Sequence, residues 1–224
     1  MGYVRASRSA YYGFLLGLPL LLLYELLAFV LKTDLRNGAD VWLTSFFALF
    51  GSVSPWVLKI AGFGALGLLL LMQRRDLAVR PLYFFLMLGE AVVYSLLFGT
   101  VVTRVLRIFL SLPQSSDFLT QVTLSLGAGV YEELLFRVIL FSGLFLLLSV
   151  LMGGITAGIA AALISSLIFS AVHYIGPLGD RLEFYSFAYR FLSGLIFTGL
   201  YVARGFGIAA WTHALYDVWV IFRH

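Results

Sequence analysis

The chain has 224 residues, 62% of them hydrophobic and 12% charged, so a soluble domain of this composition would lack the polar surface to cover its own core, and a membrane protein is expected. Fifteen Lys and Arg against eleven Asp and Glu leave a net charge of +4, an excess that cytoplasmic loops explain better than a nucleic-acid-binding stripe, and no nucleic acid is expected as a partner. With no cysteine, disulfides, thiolate zinc sites, a Cys nucleophile and prenylation of the chain's own end are excluded.

Along the chain, Arg5 and Arg8 precede an apolar run from Tyr12 to Leu31. It is too long for a signal-peptide core and lacks a clean cleavage site, so it is expected to be an uncleaved first span. Gly2 opens no myristoylation motif, because Ala6 stands where Ser or Thr is needed. A bilayer core of about 30 Å needs roughly 20 apolar residues per helix. Val53–Met72, Pro81–Thr103, Val130–Met152, Gly154–Ile175, Phe187–Ala203 and Gly205–Phe222 meet or approach that length. The stretch Val41–Phe50 either lengthens the second span or lies in the interface. Asp117–Gly129 is either re-entrant or a short extra crossing, with the following helix beginning after the Gly127-Ala128-Gly129 break. The expectation is an all-α fold, a polytopic transmembrane helix bundle of seven to eight helices. It forms one integral membrane domain over 1–224, with the chemistry in 130–222. Arg74, Arg75 and Arg80, with Arg5 and Arg8, place the N-terminus and the second connection on the cytoplasmic side, while beyond Thr103 the scattered Arg104, Arg107, Arg204 and Arg223 leave the orientation of the second half open.

Ionisable groups inside a span cost about 2.5–3.5 kcal/mol each on insertion scales, so each asks for a partner or a function. Here they cluster in Glu132-Glu133-x-x-x-Arg137, Phe169-x-x-x-His173 and His213-x-x-x-Asp217. Glu132 and Glu133 are about 100° apart on a helix and cannot aim at one point. Glu133 and Arg137 stand at i and i+4, acid first, and can pair; Glu132 is left to face elsewhere. His213 and Asp217 are also i and i+4, so Asp217 can hold the ring or present its own oxygen beside it. Successive helices alternate direction, which lets all three clusters meet at one depth near one membrane face. A carboxylate and a histidine around such a pocket suit general-base activation of water, hence hydrolysis. His213 with its neighbour would then stabilise the oxyanion.

These three motifs, in this order on successive apolar helices, resemble the CAAX prenyl endopeptidase and bacteriocin-processing (CPBP, Abi) family of intramembrane glutamic-type proteases. The resemblance covers Tyr131 to Asp217. It implies that Glu132 activates water with His173, that Glu133 and Arg137 support the first helix, and that His213 and Asp217 form the oxyanion side. The family often has Asn at the last position; Asp217 fits a role in orienting His213 better than one as a donor. Membrane-embedded or lipidated peptides and proteins are the implied substrates: CAAX-type tails, bacteriocin-type peptides, or proteins with a C-terminal sorting helix. The implied setting is a bacterial or archaeal cell membrane. Seven helices would open the site outward, which favours the sorting role; an eighth would open it to the cytoplasm, as for prenyl processing. No cofactor is expected. If a metal such as Zn²⁺ were used, Glu132, His173 and His213 would hold it, although no H-E-x-x-H helix is present. The rival reading is a non-catalytic membrane protein, either a proton-coupled transporter or a helix-binding scaffold. Outside the motifs, Glu25 and Glu90 are expected to serve helix packing, and Arg190 to reach the interface on its long stem.

Overall fold

The computed structural model describes residues 2–32, 35–49, 55–73, 79–106, 117–176 and 179–222. Arg74, Arg75 and Asp76, and most of the stretch between Arg104 and Asp117, lie outside them. Among the described residues the fold is all-helical: α1 (Tyr3–Ser7), α2 (Ala10–Leu31), α3 (Gly38–Ala48), α4 (Pro55–Gln73), α5 (Pro81–Leu106), α6 (Phe118–Gly127), α7 (Ser142–Ser149), α8 (Gly154–Val172), α9 (Phe184–Arg204) and α10 (Phe206–Ile221). Two π-helical segments, Ala128–Glu132 and Leu134–Phe141, join α6 to α7.

Local sequence explains where these helices begin. Ser9 caps α2 by accepting from the Tyr12 amide, Asn37 caps α3 by accepting from the Ala39 amide, and Asp117 caps α6 by accepting from the Thr120 amide. The Thr120 hydroxyl and amide hold the Asp117 carboxyl below the usual carboxylate range. A single residue, Gly205, separates α9 from α10; its φ of 84° suits glycine and lets the chain reverse at once.

Four described helical stretches are long and apolar enough to cross a membrane: Ala10–Leu31, Pro81–Thr100, Gly154–Val172 and Phe184–Arg204. Their outward faces carry large apolar side chains, among them Leu22, Phe85, Ile155 and Leu192. Such faces are stable against hydrocarbon, and the chain is an integral membrane protein.

Two expectations about the elements are corrected. Asp117–Gly129 is no separate crossing, and no break follows Gly127-Ala128-Gly129: α6, the π segments and α7 form one continuous rod from 118 to 149. At about 1.5 Å per residue it is about 45 Å long, more than a bilayer core. Glu132 therefore sits mid-rod rather than at a helix start. Val41–Phe50 does not lengthen a span; most of it belongs to the separate helix α3.

Helix α10 is the centre of the bundle, packed against α2, α5, α6, α9 and the first π segment. Its N-terminal half is small enough for that position, with Ala209, Ala210 and Ala214 fully buried. Gly129 makes the closest approach possible: a Cβ there would lie 2.5 Å from the Ala210 carbonyl oxygen. Leu20 and Tyr24 of α2, Val130 and Tyr131 of the rod, and Ala210 and Ala214 of α10 close one core cluster beside the motif residues.

Candidate active site

Glu132 and Glu133 leave the rod in different directions. Glu133 is fully buried and joins Arg137 to His213: its Oε2 lies 3.1 Å from Arg137 Nε, and its Oε1 accepts from His213 Nδ1 at 2.8 Å. Arg137 is 1% exposed, a position that a cation tolerates only beside a charge and polarisable groups. Its Cζ lies 4.6 Å from the centre of the Phe169 ring and 5.9 Å from that of Phe197. His213 stacks on Phe197 at 4.6 Å between ring centres. Phe169 thus packs between Arg137 and His173, whose ring it meets edge-on at 4.9 Å.

The geometry reassigns one partner. His213 Nδ1 is held by Glu133 from the neighbouring helix, whereas Asp217, four residues on, remains 3.7 Å from Nε2. The i, i+4 spacing brings Asp217 near, but the ring turns its hydrogen-bonding nitrogen across the helix interface. Asp217 instead lines the cavity beside the exposed edge of the ring.

Glu132 points into that cavity, which has a volume of about 390 Å³ and is lined by Asn37, Glu132, His173, Arg190, His213 and Asp217 among others. Its Oε1 accepts from the Asn37 side-chain amide at 2.8 Å, and its Oε2 lies 4.0 Å from His173 Nε2. The orientation of both neighbours follows from their other bonds. Asn37 Oδ1 accepts from the Ala39 amide at 2.9 Å, so Nδ2 is the atom that faces Glu132. His173 Nδ1 lies 2.7 Å from the Phe169 carbonyl oxygen, which can only accept. Nδ1 is therefore the donor, and in the neutral ring Nε2 turns its lone pair toward Glu132. A gap of 4.0 Å between two acceptors suits a water that donates to both.

Asn37 is the residue that motif reading missed. It stands between α2 and α3, 95 positions from Glu132, and carries no catalytic pattern. The only sequence signal is an N-cap, Asn37-Gly38-Ala39, at the start of a helix. Three other residues are now placed. Glu90 makes a bidentate pair with Arg204, 2.7 Å on each side, and is not among the cavity-lining residues. Glu25 accepts from Arg36, Lys59 and the Tyr131 hydroxyl. Arg190 does more than extend to the interface: it donates to the Tyr174 and Ser186 hydroxyls at 2.8 Å each, pairs with Asp180 and lines the cavity.

Among the described residues no group of three or more His, Asp and Glu side chains is arranged to hold a metal ion. Glu132 Oε2 and His173 Nε2 lie 4.0 Å apart, and His213 commits Nδ1 to Glu133.

Residues 114–219 match the family model described as type II CAAX prenyl endopeptidase, Rce1-like. The match contains all three motifs and excludes Asn37. No curated protein and no solved structure matches the chain significantly.

Proposed function

Residues 114–219 belong to the Rce1-like family of type II CAAX prenyl endopeptidases, and on that premise we propose that the chain is an intramembrane endopeptidase in which Glu132 is the general base. The observation that carries this reading is the division of labour at its carboxylate. One oxygen is held by Asn37, and the other faces the unprotonated nitrogen of His173 across a water-sized gap inside the cavity.

The reaction follows from these positions. A water between Glu132 Oε2 and His173 Nε2 gives one proton to Glu132, and its oxygen attacks the carbonyl carbon of the scissile peptide bond. His173 accepts a hydrogen bond from the proton that stays on the water and so orients the attack. The resulting oxyanion lies toward His213. In its doubly protonated state that ring keeps Nδ1–H on Glu133 and offers Nε2–H to the oxyanion. Glu132 then returns its proton to the departing amine nitrogen as the C–N bond breaks, leaving a new carboxyl terminus and a new amine. Arg137 neutralises Glu133 and thereby holds the one carboxylate that aligns His213. General acid–base catalysis of this kind is worth about 10²–10⁴ in rate, and one preorganised oxyanion donor about 10²–10³.

The test compares wild type with Glu132→Gln in native membranes by mass spectrometry of peptides and C-terminal fragments. The isosteric amide preserves shape and the bond to Asn37 through its carbonyl oxygen but cannot take a proton. Fragments made by wild type should vanish in the variant while its abundance and membrane insertion stay the same. An identical fragment profile would refute the protease reading and favour transport or scaffolding.

A further inference from the structure

A cluster of four charges lies beside the site and outside the cavity. Glu25 of α2 accepts from Arg36 at 2.8 Å and from Lys59 of α4 at 3.0 Å. Asp40 of α3, 2% exposed, pairs with Lys59 and lies 3.8 Å from Arg36. Two cations thus face two carboxylates, and none of the four lines the cavity. Interhelical pairing alone would account for such a cluster in a membrane protein. Two tyrosine hydroxyls, however, tie it to the proposed general base, Glu132.

The first tie runs through Asn37. Tyr24, fully buried, gives its hydroxyl proton to Asp40 at 2.9 Å, which leaves the oxygen to accept from the Asn37 backbone amide at 3.3 Å. The direction is fixed, because an ionised carboxylate only accepts and an amide N–H only donates. Asn37 is then held at every polar atom: its carbonyl accepts from the Val41 amide, Oδ1 accepts from the Ala39 amide, and Nδ2 donates to Glu132. Gly127 lets the rod come this close, since a Cβ there would lie 2.6 Å from the Tyr24 ring and 2.9 Å from the Asn37 Cβ. The second tie runs through Tyr131, also buried, whose hydroxyl donates to Glu25 at 2.7 Å and whose ring centre lies 5.2 Å from the Lys59 ammonium. Tyr131 precedes Glu132 in the chain, so anchoring it fixes the rotation at which Glu132 leaves the rod. Donor and acceptor of the Asn37–Glu132 bond are therefore both referred to the same four charges, through hydrogen bonds that polarise one another in a dry interior.

We propose that the Glu25–Arg36–Asp40–Lys59 cluster is a positioning clamp for the general base, with Tyr24 setting Asn37 and Tyr131 setting Glu132. The geometric part stands on the contacts above; the effect on rate rests in addition on the reading of Glu132 as the base. All of the clamp except Tyr131 lies outside residues 114–219, so the N-terminal half contributes to the chemistry without touching the reacting atoms.

The test removes one hydroxyl at a time from the full-length protein while keeping the ring: Tyr24→Phe, Tyr131→Phe and, as a control, Tyr12→Phe, a buried tyrosine of α2 whose hydroxyl bonds the Arg80 amide. Hydrogen exchange of the Asn37 side-chain amide, assigned in the NMR spectrum by its loss in Asn37→Asp, reads the bond directly and needs no substrate. Exchange should quicken about three- to tenfold in Tyr24→Phe and Tyr131→Phe, the worth of one lost hydrogen bond, and stay at the wild-type rate in Tyr12→Phe. In native membranes, the rate at which the Glu132-dependent fragments form should fall about tenfold in each of the two variants at unchanged abundance. In an Asn37→Asp background neither substitution should slow it further, because the bond that the tyrosines serve is already gone. Unchanged exchange in either variant, or rate losses that multiply with that of Asn37→Asp, would overturn the clamp and leave the cluster as a link between helices. Quickened exchange in a protein that makes no Glu132-dependent fragment would keep the clamp and remove the protease reading.

Discussion

In the proposed mechanism Glu132 works through the two groups that face it, and the amide of Asn37 is the less expected of them. Because Asn37 Oδ1 is occupied by the Ala39 amide, an aspartate at this position would keep the helix cap and the side-chain size yet replace the N–H donor by a second carboxylate oxygen facing Glu132. Asn37→Asp should therefore retain its thermal stability within about 1 kcal/mol, since Asp and Asn cap equally well. Its kcat should fall by about 10²-fold with little change in KM, because the lost interaction tunes the base and does not bind substrate. Steady-state kinetics beside a melting curve in detergent would check both. Equal activity of the two proteins would reduce Asn37 to a cap. Glu133, in contrast, holds Arg137 and His213 together while buried to 0% exposure. Truncating Glu133 or Arg137 breaks the buried pair between them and leaves its partner's charge uncompensated, a loss typically of about 3–5 kcal/mol.

Among the elements, the rod and α10 decide whether the motifs meet. The rod presents its motif within π-helical turns, whose i→i+5 bonds are rare outside functional segments. Gly129 is where α10 crosses it. In Gly129→Val the new side chain would collide with the Ala210 carbonyl and the Ala214 methyl, pushing α10 outward and His213 with it. The expected result is a destabilisation of about 1–3 kcal/mol and a loss of cleavage, although every motif residue is intact. Thermal melts and the fragment assay measure the two effects separately. The element scale also shows how far periodicity could be read. The apolar runs at 12–31, 81–103, 154–175, 187–203 and 205–222 correspond to α2, α5, α8, α9 and α10 within a few residues, because hydrophobic length is a local property. The supposed break at Gly127-Ala128-Gly129 was misleading. Glycines that interrupt an isolated helix are retained here because a neighbouring helix packs on their bare backbone.

For the whole molecule, the family match covers 114–219, yet the cavity is completed by Asn37 from the N-terminal half, and the core beside it by Leu20 and Tyr24 of α2. The proposed catalysis by proton transfer among side chains also predicts the response to metal removal. Purified protein treated with a strong chelator should keep its activity and its melting temperature, and added Zn²⁺ should not raise either. Activity that disappears with the chelator and returns with metal would show that the site rearranges to bind an ion. The composition, the order of the three motifs and the local caps determined by themselves that this is a helical membrane protein whose polar motifs follow the order of a CAAX-type protease family, because hydropathy and i, i+4 spacing are carried by neighbouring residues. Only the tertiary structure decided that Glu133 and not Asp217 holds His213, and that Asn37 holds Glu132. Those facts depend on contacts between helices distant in sequence, where direction and rotation are set by packing and leave no periodic trace in the chain.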